Sequence, residues 1–224
     1  MDKTDGTQNS SPESVTSRRN ALLVVCAVIA LAVTCLAFKY GFIFSSSVAN
    51  KQRDEEAHTR AGAKWAEKLD IPALPNFHRV SDVLYRGAQP TEEGIEKLAE
   101  MGVKTIVNLR LIHSDRKKAE QLGLNYEHIR VETWDPDAPE VVRFLKIVTD
   151  PNLATVFLHC KHGADRTGTM CAIYRVVVQG WTKEQAIAEM TKGGFNFHST
   201  WKNLIKYIQN LDVGEIKRRA GLTE

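Results

Sequence analysis

One stretch, TVFLHCKHGADRTGTM at residues 155–170, constrains the fold of this chain more than any other. Its apolar start, without polar alternation, is typical of a strand that is buried on both faces of a parallel sheet. Five small or polar residues follow Cys160, and a largely apolar run then extends from Arg166 to Gly180. The stretch therefore predicts a buried strand, a tight loop and a buried helix in direct succession, which is typical of an α/β domain.

The chain after Ile71 alternates between strand patterns and helix patterns. Further short strands are predicted in FHRVSDVLYRG, VKTIVNLR and YEHIRV, which contain several β-branched and aromatic residues. Helices are predicted between them, most with a start or stop signal: Thr91 to Gly102, Ser114 to Gly123, 139–150, a helix opened by a capping box of Thr182 and Gln185, and 200–211. Strands that alternate with helices predict an α/β fold with a central, mostly parallel sheet.

The composition excludes several functional classes. Of the 224 residues, 43% are hydrophobic, which is enough for one domain with a core and for additional segments. The formal charge of +3 and the lack of a basic stripe predict that nucleic acid is not a partner. The four cysteines form no CxxC pair, and the spacing of His159, Cys160 and His162 does not supply two pairs of zinc ligands. Neither a disulfide framework nor a metal site is predicted.

The N-terminal segment is predicted to lie outside the folded domain. Residues 1–20 are rich in Ser, Thr, Asp and Asn and predict a disordered tail, and the uncharged run ALLVVCAVIALAVTCLAF follows. A helix over this run spans about 27 Å, close to the roughly 30 Å hydrocarbon core of a bilayer, so residues 21–44 are predicted to form one transmembrane helix. A cleaved signal peptide, with small residues at Ser47–Ala49, and a buried core helix are alternative interpretations.

The distribution of basic residues predicts the orientation of this helix. Arg18 and Arg19 directly precede the apolar run, whereas Lys51 and Arg53 on its other side are more distant. The positive-inside rule therefore places the N-terminus in the cytoplasm and the rest of the chain across the membrane. Residues 45–70 are predicted to be a charged linker, 71–212 the folded domain and 213–224 a C-terminal tail.

The loop after Cys160 has the composition of an anion-binding site. A strand–loop–helix unit directs backbone N–H groups and the positive end of a helix toward one point. Gly163 permits the tight backbone, and the guanidinium of Arg166 can bind two phosphate oxygens at once. In that field Cys160 is predicted to be a thiolate, which is a nucleophile for a bound phosphoryl group. The Thr167 hydroxyl can donate to the sulfur, and His159 is predicted to orient the loop by hydrogen bonds.

The residues HCKHGADRTG carry the signature HCxxGxxR(S/T)G, and through it the chain resembles the cysteine-dependent protein tyrosine phosphatases, including their dual-specificity branch. LYRGAQPT, VKTIVNLR and YRVVVQGWTKEQAIAEMTKGGF extend the similarity, which is especially clear for the bacterial periplasmic phosphatases of the TpbA type. The resemblance covers roughly residues 77–211. It implies an α/β/α sandwich and hydrolysis of phosphotyrosine, with phosphoserine and phosphothreonine in dual-specificity members, through a phosphocysteine intermediate.

The resemblance also implies the remaining properties of the site. It predicts a monomer that needs no cofactor, acts on phosphorylated proteins and has its catalytic domain in the periplasm. The catalytic residues include Cys160, Arg166 and Thr167. The substrate-binding residues are those of the loop and the first turn of the helix: Lys161, His162, Gly163, Ala164, Asp165 and Arg166.

The family also requires a general acid from a loop that precedes the signature, here ETWDPDAPE. In many relatives the acid stands four residues before a proline, and Asp135 with Pro139 has this spacing. Asp135 is therefore predicted to be the acid, and Asp137 is its competitor. Both residues could instead simply place negative charge near the start of the following helix.

Two other functions compete with that of a protein phosphatase. Lys161 follows the cysteine as it does in relatives that act on lipids, which suggests an inositol phosphate or phosphoinositide phosphatase. A carboxylate at the loop rim, Asp165, opposes this because it repels a polyanion. A non-catalytic module that binds phosphorylated ligands is the third possibility, and the presence of Cys160, Arg166 and Thr167 together disfavours it.

Overall fold

The computed structural model describes residues 64–132 and 138–222. The predicted N-terminal tail, the transmembrane helix at 21–44 and most of the linker lie outside these ranges. Within the described ranges, no helix combines the length and the apolar character needed to cross a membrane.

A six-stranded sheet with helices packed against it forms the domain. The strands are β1 (Glu67–Lys68), β2 (His78–Arg79), β3 (Leu84–Gly87), β4 (Thr105–Asn108), β5 (Asn125–His128) and β6 (Val156–His159). The helices are α1 (Glu92–Glu100), α2 (Arg116–Gln121), α3 (Ala138–Thr149), α4 (Asp165–Val177), α5 (Lys183–Lys192), α6 (Lys202–Asn210) and α7 (Val213–Ala220).

The order of the strands places β6 between β3 and β4 in the middle of the sheet. The full order is β1-β2-β3-β6-β4-β5, and the pairs β3–β6, β6–β4 and β4–β5 are parallel. The short strands β1 and β2 add an antiparallel edge. Every residue of β4 and β6 is buried, as predicted for TVFLHC.

Neighbouring side chains of β6 enter two different cores, because successive residues of a strand point to opposite faces of the sheet. Leu158 belongs to a core that includes residues of α3, α4 and α7, whereas Phe157 belongs to one that includes residues of α1 and α2. Helices on both faces of one sheet make an α/β/α sandwich, and the predicted α/β fold with a mostly parallel sheet is confirmed.

Local signals in the sequence set several helix ends. The hydroxyl of Thr91 accepts a hydrogen bond from the Gly94 N–H at 3.1 Å and caps α1. Both halves of the predicted capping box of Thr182 and Gln185 are present at α5. At α2 the predicted cap Ser114 is displaced by one residue: Asp115 occupies the N-cap position without a side-chain capping bond, because its carboxylate has other partners.

The predicted C-terminal tail, residues 213–224, contains helix α7. Asp212 caps α7 by accepting a hydrogen bond from the Glu215 N–H at 2.9 Å, and α7 buries Ile216 and Ala220 in the core shared with α3 and α4. Two buried residues in a short, highly charged helix are too few to stand out as a periodic pattern. Strand β1 likewise lies within the predicted linker 45–70, where Glu67 pairs with Arg79 of β2.

Candidate active site

The site lies at the carboxyl ends of the central parallel strands. In the sheet, His159 at the end of β6 is paired with Gly87 of β3 and with Asn108 of β4. Residues 160–164, which we call the signature loop, connect β6 to α4. Ligands commonly bind outside the carboxyl ends of parallel strands, so the topology brings the loop to a suitable edge.

Gly163 is the residue that allows the loop to close against β3. Its φ angle is +70°, which side chains other than that of glycine rarely permit. A Cβ atom at this position would lie 2.5 Å from the carbonyl carbon and oxygen of Gly87. A larger residue would therefore push the loop away from the sheet.

Four consecutive carbonyl groups of the signature loop accept hydrogen bonds from residues outside the loop. The Cys160 carbonyl accepts a hydrogen bond from His159 Nδ1 at 3.2 Å. The three carbonyls that follow, at residues 161, 162 and 163, accept from the Gln89 N–H at 3.3 Å, Asn76 Nδ2 at 3.0 Å and Arg86 Nη2 at 2.7 Å.

This arrangement orients the N–H groups of the loop. The C=O and N–H of a trans peptide point in opposite directions, so outward carbonyls at 160–163 turn the N–H groups of residues 161–164 toward the concave side. None of these four N–H groups donates to a protein acceptor in the described part of the chain. Together with the N-terminus of the 13-residue helix α4, they form a site for an anion.

A cleft of about 470 Å³ opens above Cys160. Cys160 is only 3% exposed, as expected of a group at the floor of a cleft. The lining residues come from the loop and α4 and from the segment before α6: Cys160, His162, Asp165, Arg166, His198, Thr200 and Trp201.

Arg166 is fixed by backbone carbonyls that follow two neighbouring strands. Its Nη1 donates to the carbonyl of Leu109, after β4, at 3.1 Å and to that of Val131, after β5, at 3.5 Å. A guanidinium has five N–H donors in a plane, so the others remain for a ligand in the cleft that Arg166 lines.

Thr167 is fully buried, and its hydroxyl has no hydrogen-bond partner among the described residues. Buried hydroxyl groups are nearly always paired, so an unpaired one directly after Arg166 marks a position where a further acceptor is expected.

His159 orients the loop, as predicted, and the structure adds the group behind it. His159 Nε2 lies 3.4 Å from Asp115 Oδ2, and its Nδ1 donates to the Cys160 carbonyl. Asp115 also accepts hydrogen bonds from Gln89 Nε2 at 3.0 Å and from Asn108 Nδ2 at 3.3 Å. Burial acts to raise the pKa of the Asp115 carboxyl, but hydrogen bonds and charge interactions with His159 and His113 outweigh it and hold that pKa below its usual range.

A second segment, residues 195–201 between α5 and α6, is joined to the signature loop; we call it the rim segment. Asn76 Nδ2 donates to the carbonyls of both His162 and Phe195, at 3.0 and 3.1 Å. The guanidinium of Arg86 lies 3.8 Å from the centre of the Phe195 ring. These contacts fix the position of the rim segment relative to the loop.

Asp165, the first residue of α4, provides the third connection. Its Oδ1 accepts a hydrogen bond from the His198 N–H at 2.9 Å, and its Oδ2 lies 2.9 Å from Nδ1 of the same residue. The Asp165 side chain is only 12% exposed. The carboxylate therefore holds the rim segment, and Asp165 also lines the cleft.

The other predicted site residues fall into three groups. Lys161 and His162 are exposed on the loop, and Ala164 is buried at its end. Both candidates for the general acid, Asp135 and Asp137, lie outside the described residues.

The second cysteine of the domain, Cys171, is a free thiol within α4 and is 1% exposed. Burial raises the pKa of the Cys171 thiol to about 11, so this group stays protonated near neutral pH.

The sequence interpretation missed the residues that support the loop from the sheet. Asn76, Arg86 and Gln89 lie in or beside β2 and β3, and Asp115 lies at the start of α2. The stretch LYRGAQPT, which contains Arg86 and Gln89, is predicted as the end of a strand and as part of the family resemblance, without a role for either side chain. The local signal available in the sequence is an arginine directly before a glycine at the end of a predicted strand.

Comparisons with known proteins agree with this geometry. A family model described as a DSP-PTPase phosphatase fused to NAD⁺ kinase matches residues 71–205. The dual specificity protein phosphatase TpbA of Pseudomonas aeruginosa is 34% identical over 164 residues, which is 73% of each chain. An inositol diphosphatase of Arabidopsis thaliana is 26% identical over 165 residues, which is 66% of this chain and 76% of the plant protein.

The fold is also similar to solved structures. The crystal structure of P. aeruginosa TpbA superimposes with a TM-score of 0.63 at 32% identity and covers 72% of this chain and 99% of TpbA. A Cys-to-Ser variant of TpbA in complex with pTyr gives the same TM-score at 31% identity, over 71% of this chain and 97% of the variant.

Proposed function

We propose that this chain, which belongs to the DSP-PTPase family of phosphatases, hydrolyses phosphotyrosine in proteins through a phosphocysteine intermediate. The chain is a phosphatase by its family and fold. The observation that carries the finer proposal is the loop whose four outward carbonyls turn the N–H groups of residues 161–164 toward the space above Cys160.

In the first step, the Cys160 thiolate attacks the phosphorus and the bond to the tyrosyl oxygen breaks. The leaving oxygen takes a proton from Asp135, and the phosphoryl group is left on the sulfur. The three non-bridging oxygens accept hydrogen bonds from the N–H groups of residues 161–164 and from the guanidinium of Arg166, which stabilise the charge of the transition state.

In the second step, water attacks the phosphocysteine, and Asp135, now a carboxylate, accepts its proton. The S–P bond breaks, and inorganic phosphate and the Cys160 thiolate are regenerated. The unpaired Thr167 hydroxyl suits this step, because a donor to the departing sulfur stabilises the thiolate.

The walls of the cleft favour an aromatic phosphate ester. Trp201 and Thr200 line the side contributed by the rim segment, and among the described residues of the lining Arg166 is the permanent cation. An indole beside the phosphate site can stack on the ring of phosphotyrosine. An inositol polyphosphate needs several cations for its additional phosphate groups.

Trp201→Ala is expected to raise KM for a phosphotyrosine peptide roughly tenfold, which corresponds to the loss of one aromatic contact. Hydrolysis of a phosphoserine peptide should change much less, because its short side chain does not reach the indole. Steady-state kinetics measure KM for both peptides, and the ratio of the two KM values is compared between the variant and the natural chain. Trp181→Ala, which removes an indole packed on Arg175 outside the cleft, should leave that ratio unchanged.

A specific observation supports one alternative, an inositol phosphate phosphatase. Lys161 is exposed on the loop, and one relative is an inositol diphosphatase. The same preparation should therefore be assayed on inositol polyphosphates. Turnover of an inositol polyphosphate faster than that of every phosphopeptide tested would reject the protein-directed function in favour of this one.

We also propose that the catalytic domain lies in the periplasm, held by a single transmembrane anchor at residues 21–44. Its support is the uncharged run from Ala21 to Phe38 and the preceding Arg18 and Arg19. In bacteria that express the full chain, we expect the protein to stay with membranes after alkaline carbonate extraction. A protease added to spheroplasts should digest the domain. Protection from the protease, or release by carbonate, would contradict the placement.

A further inference from the structure

We propose that Arg86 is a positioning residue of the signature loop and supplies a second, buried positive charge to the anion held there. This inference rests on the proposed function, because the anion is the phosphoryl group of the substrate. Arg86 does not line the cleft, so it acts through the loop rather than by touching the substrate.

Arg86 lies behind the loop in the middle of the sheet. It belongs to β3, where it is paired with Leu158 of β6, and it is 1% exposed. Its Nη2 donates to the Gly163 carbonyl at 2.7 Å, and the face of its guanidinium covers the Phe195 ring. Its Nε has no hydrogen-bond partner among the described residues.

The charge of Arg86 has no carboxylate partner within the described part of the chain, where every ion pair involves other residues. Another buried arginine of the same fold, Arg175, does have a carboxylate partner. It is 2% exposed and is paired with Glu189 through two hydrogen bonds of 2.6 and 2.8 Å. A buried cation without a carboxylate destabilises a fold, so its presence beside a functional loop points to an anion that arrives there.

The hydrogen bond to Gly163 determines the direction of one peptide group. Because C=O and N–H of a trans peptide are opposed, the bond from Arg86 turns the Ala164 N–H toward the concave side of the loop. Of the four groups that hold the loop carbonyls, Arg86 is the one with a permanent charge. Gly163 cannot retreat, since the backbone of Gly87 lies directly behind it.

Two variants with side chains of similar length distinguish the effect of the positive charge of Arg86 from the effect of its shape. Arg86→Lys and Arg86→Gln both shorten the side chain, but only lysine keeps the positive charge. The readout is the rate at which Cys160 is alkylated by iodoacetate, which is an anion, relative to iodoacetamide, which is neutral and almost the same size. A general deformation of the loop changes both rates, whereas loss of charge lowers the rate with the anion selectively.

With the purified full chain, we expect the ratio of the two rates to fall roughly tenfold in Arg86→Gln and to stay within about threefold of the natural value in Arg86→Lys. The inhibition constant of inorganic phosphate, measured as its protection of Cys160 against iodoacetamide, should weaken in the same order. Arg79→Gln, which removes an exposed arginine of the adjacent strand β2 that pairs with Glu67, is the control and should leave the ratio unchanged.

Equal ratios in Arg86→Lys and Arg86→Gln would overturn the inference. If Arg86→Gln does not fold, Arg86→Lys alone tests the inference. An inhibition constant of phosphate within about threefold of the natural value supports the role of the charge. A constant weakened by about tenfold or more, at an unchanged melting temperature, refutes that role. These measurements do not depend on turnover. Failure of the proposed function would appear separately, as a natural chain that hydrolyses no phosphate ester.

Discussion

Cys160→Ser is expected to abolish hydrolysis of an aryl phosphate, with a loss in kcat on the order of 10⁴-fold or more. A serine hydroxyl at this position stays protonated near neutral pH and cannot attack phosphorus as a thiolate does. The anion site itself should survive, because the carbonyls of the loop are held by Asn76, Arg86 and Gln89 from other parts of the fold. We therefore expect the variant to bind a phosphotyrosine peptide without turning it over, which calorimetry and a phosphate-release assay would measure.

The control for this substitution is Cys171→Ala. Cys171 is the other buried thiol of the described domain, and its raised pKa of about 11 means that it supplies no thiolate near neutral pH. Its removal should leave kcat nearly unchanged in protein that folds. Full turnover by Cys160→Ser, or loss of turnover in the natural chain on addition of a chelator, would contradict the thiolate mechanism.

The companion substitution at the guanidinium tests the phosphate contact. Arg166→Lys should lower kcat/KM by roughly 10²- to 10³-fold, since an ammonium group cannot bind two phosphate oxygens in one plane. In the natural chain Nη1 is already engaged by the carbonyls of Leu109 and Val131. A lysine could satisfy these carbonyls or the phosphate, but not both with the same geometry.

The elements that the sequence predicted well are those with a strong local signal. Strand β6 is a run of apolar residues that leads into a loop with glycine, and helix α4 follows with a largely apolar run from Met170 to Val177. The caps at Thr91 and Thr182 are also local, since each involves a hydroxyl and an N–H three residues later. Patterns of this kind are complete within a short window, so one sequence is enough to recognise them.

The features that the sequence did not predict depend on contacts between distant residues. Arg86 and Gly163 are separated by 77 positions, and Asn76 and His162 by 86. Nothing in the residues around Arg86 indicates that β3 lies beside β6 or that the arginine faces the loop. The contact of Asp165 is of the same kind: its charge is evident in the sequence, but its partner His198 lies 33 positions later.

The helix α7 shows a different limit. Its eight residues include three basic ones in the last turn. Because of this charge, the two residues that pack into the core do not form a recognisable apolar pattern. The position of the helix beside α3 is decided by the shape of the domain rather than by its own pattern. The sequence of a C-terminal tail cannot be distinguished from that of a short packed helix until the surface on which the helix packs is known.

The second large effect is expected at the general acid. Asp135→Asn should lower kcat by roughly 10²- to 10⁴-fold for phenyl phosphate, whose leaving oxygen is strongly basic and must be protonated as the bond breaks. For an aryl phosphate with a much more acidic phenol the loss should be small, because that oxygen departs without a proton. The dependence of log kcat on the pKa of the leaving phenol, measured over a series of aryl phosphates, should therefore become steeper in the variant.

Asp137→Asn is the matched control, because it makes the same change two residues later in the same segment. Val131, which directly precedes this segment, accepts a hydrogen bond from Arg166 through its carbonyl. That starting point is compatible with either aspartate, and the distinction rests on the spacing of Asp135 to Pro139. A steeper leaving-group dependence in Asp137→Asn with an unchanged one in Asp135→Asn would transfer the role. An unchanged dependence in both would show that the proton comes from a residue other than these two aspartates.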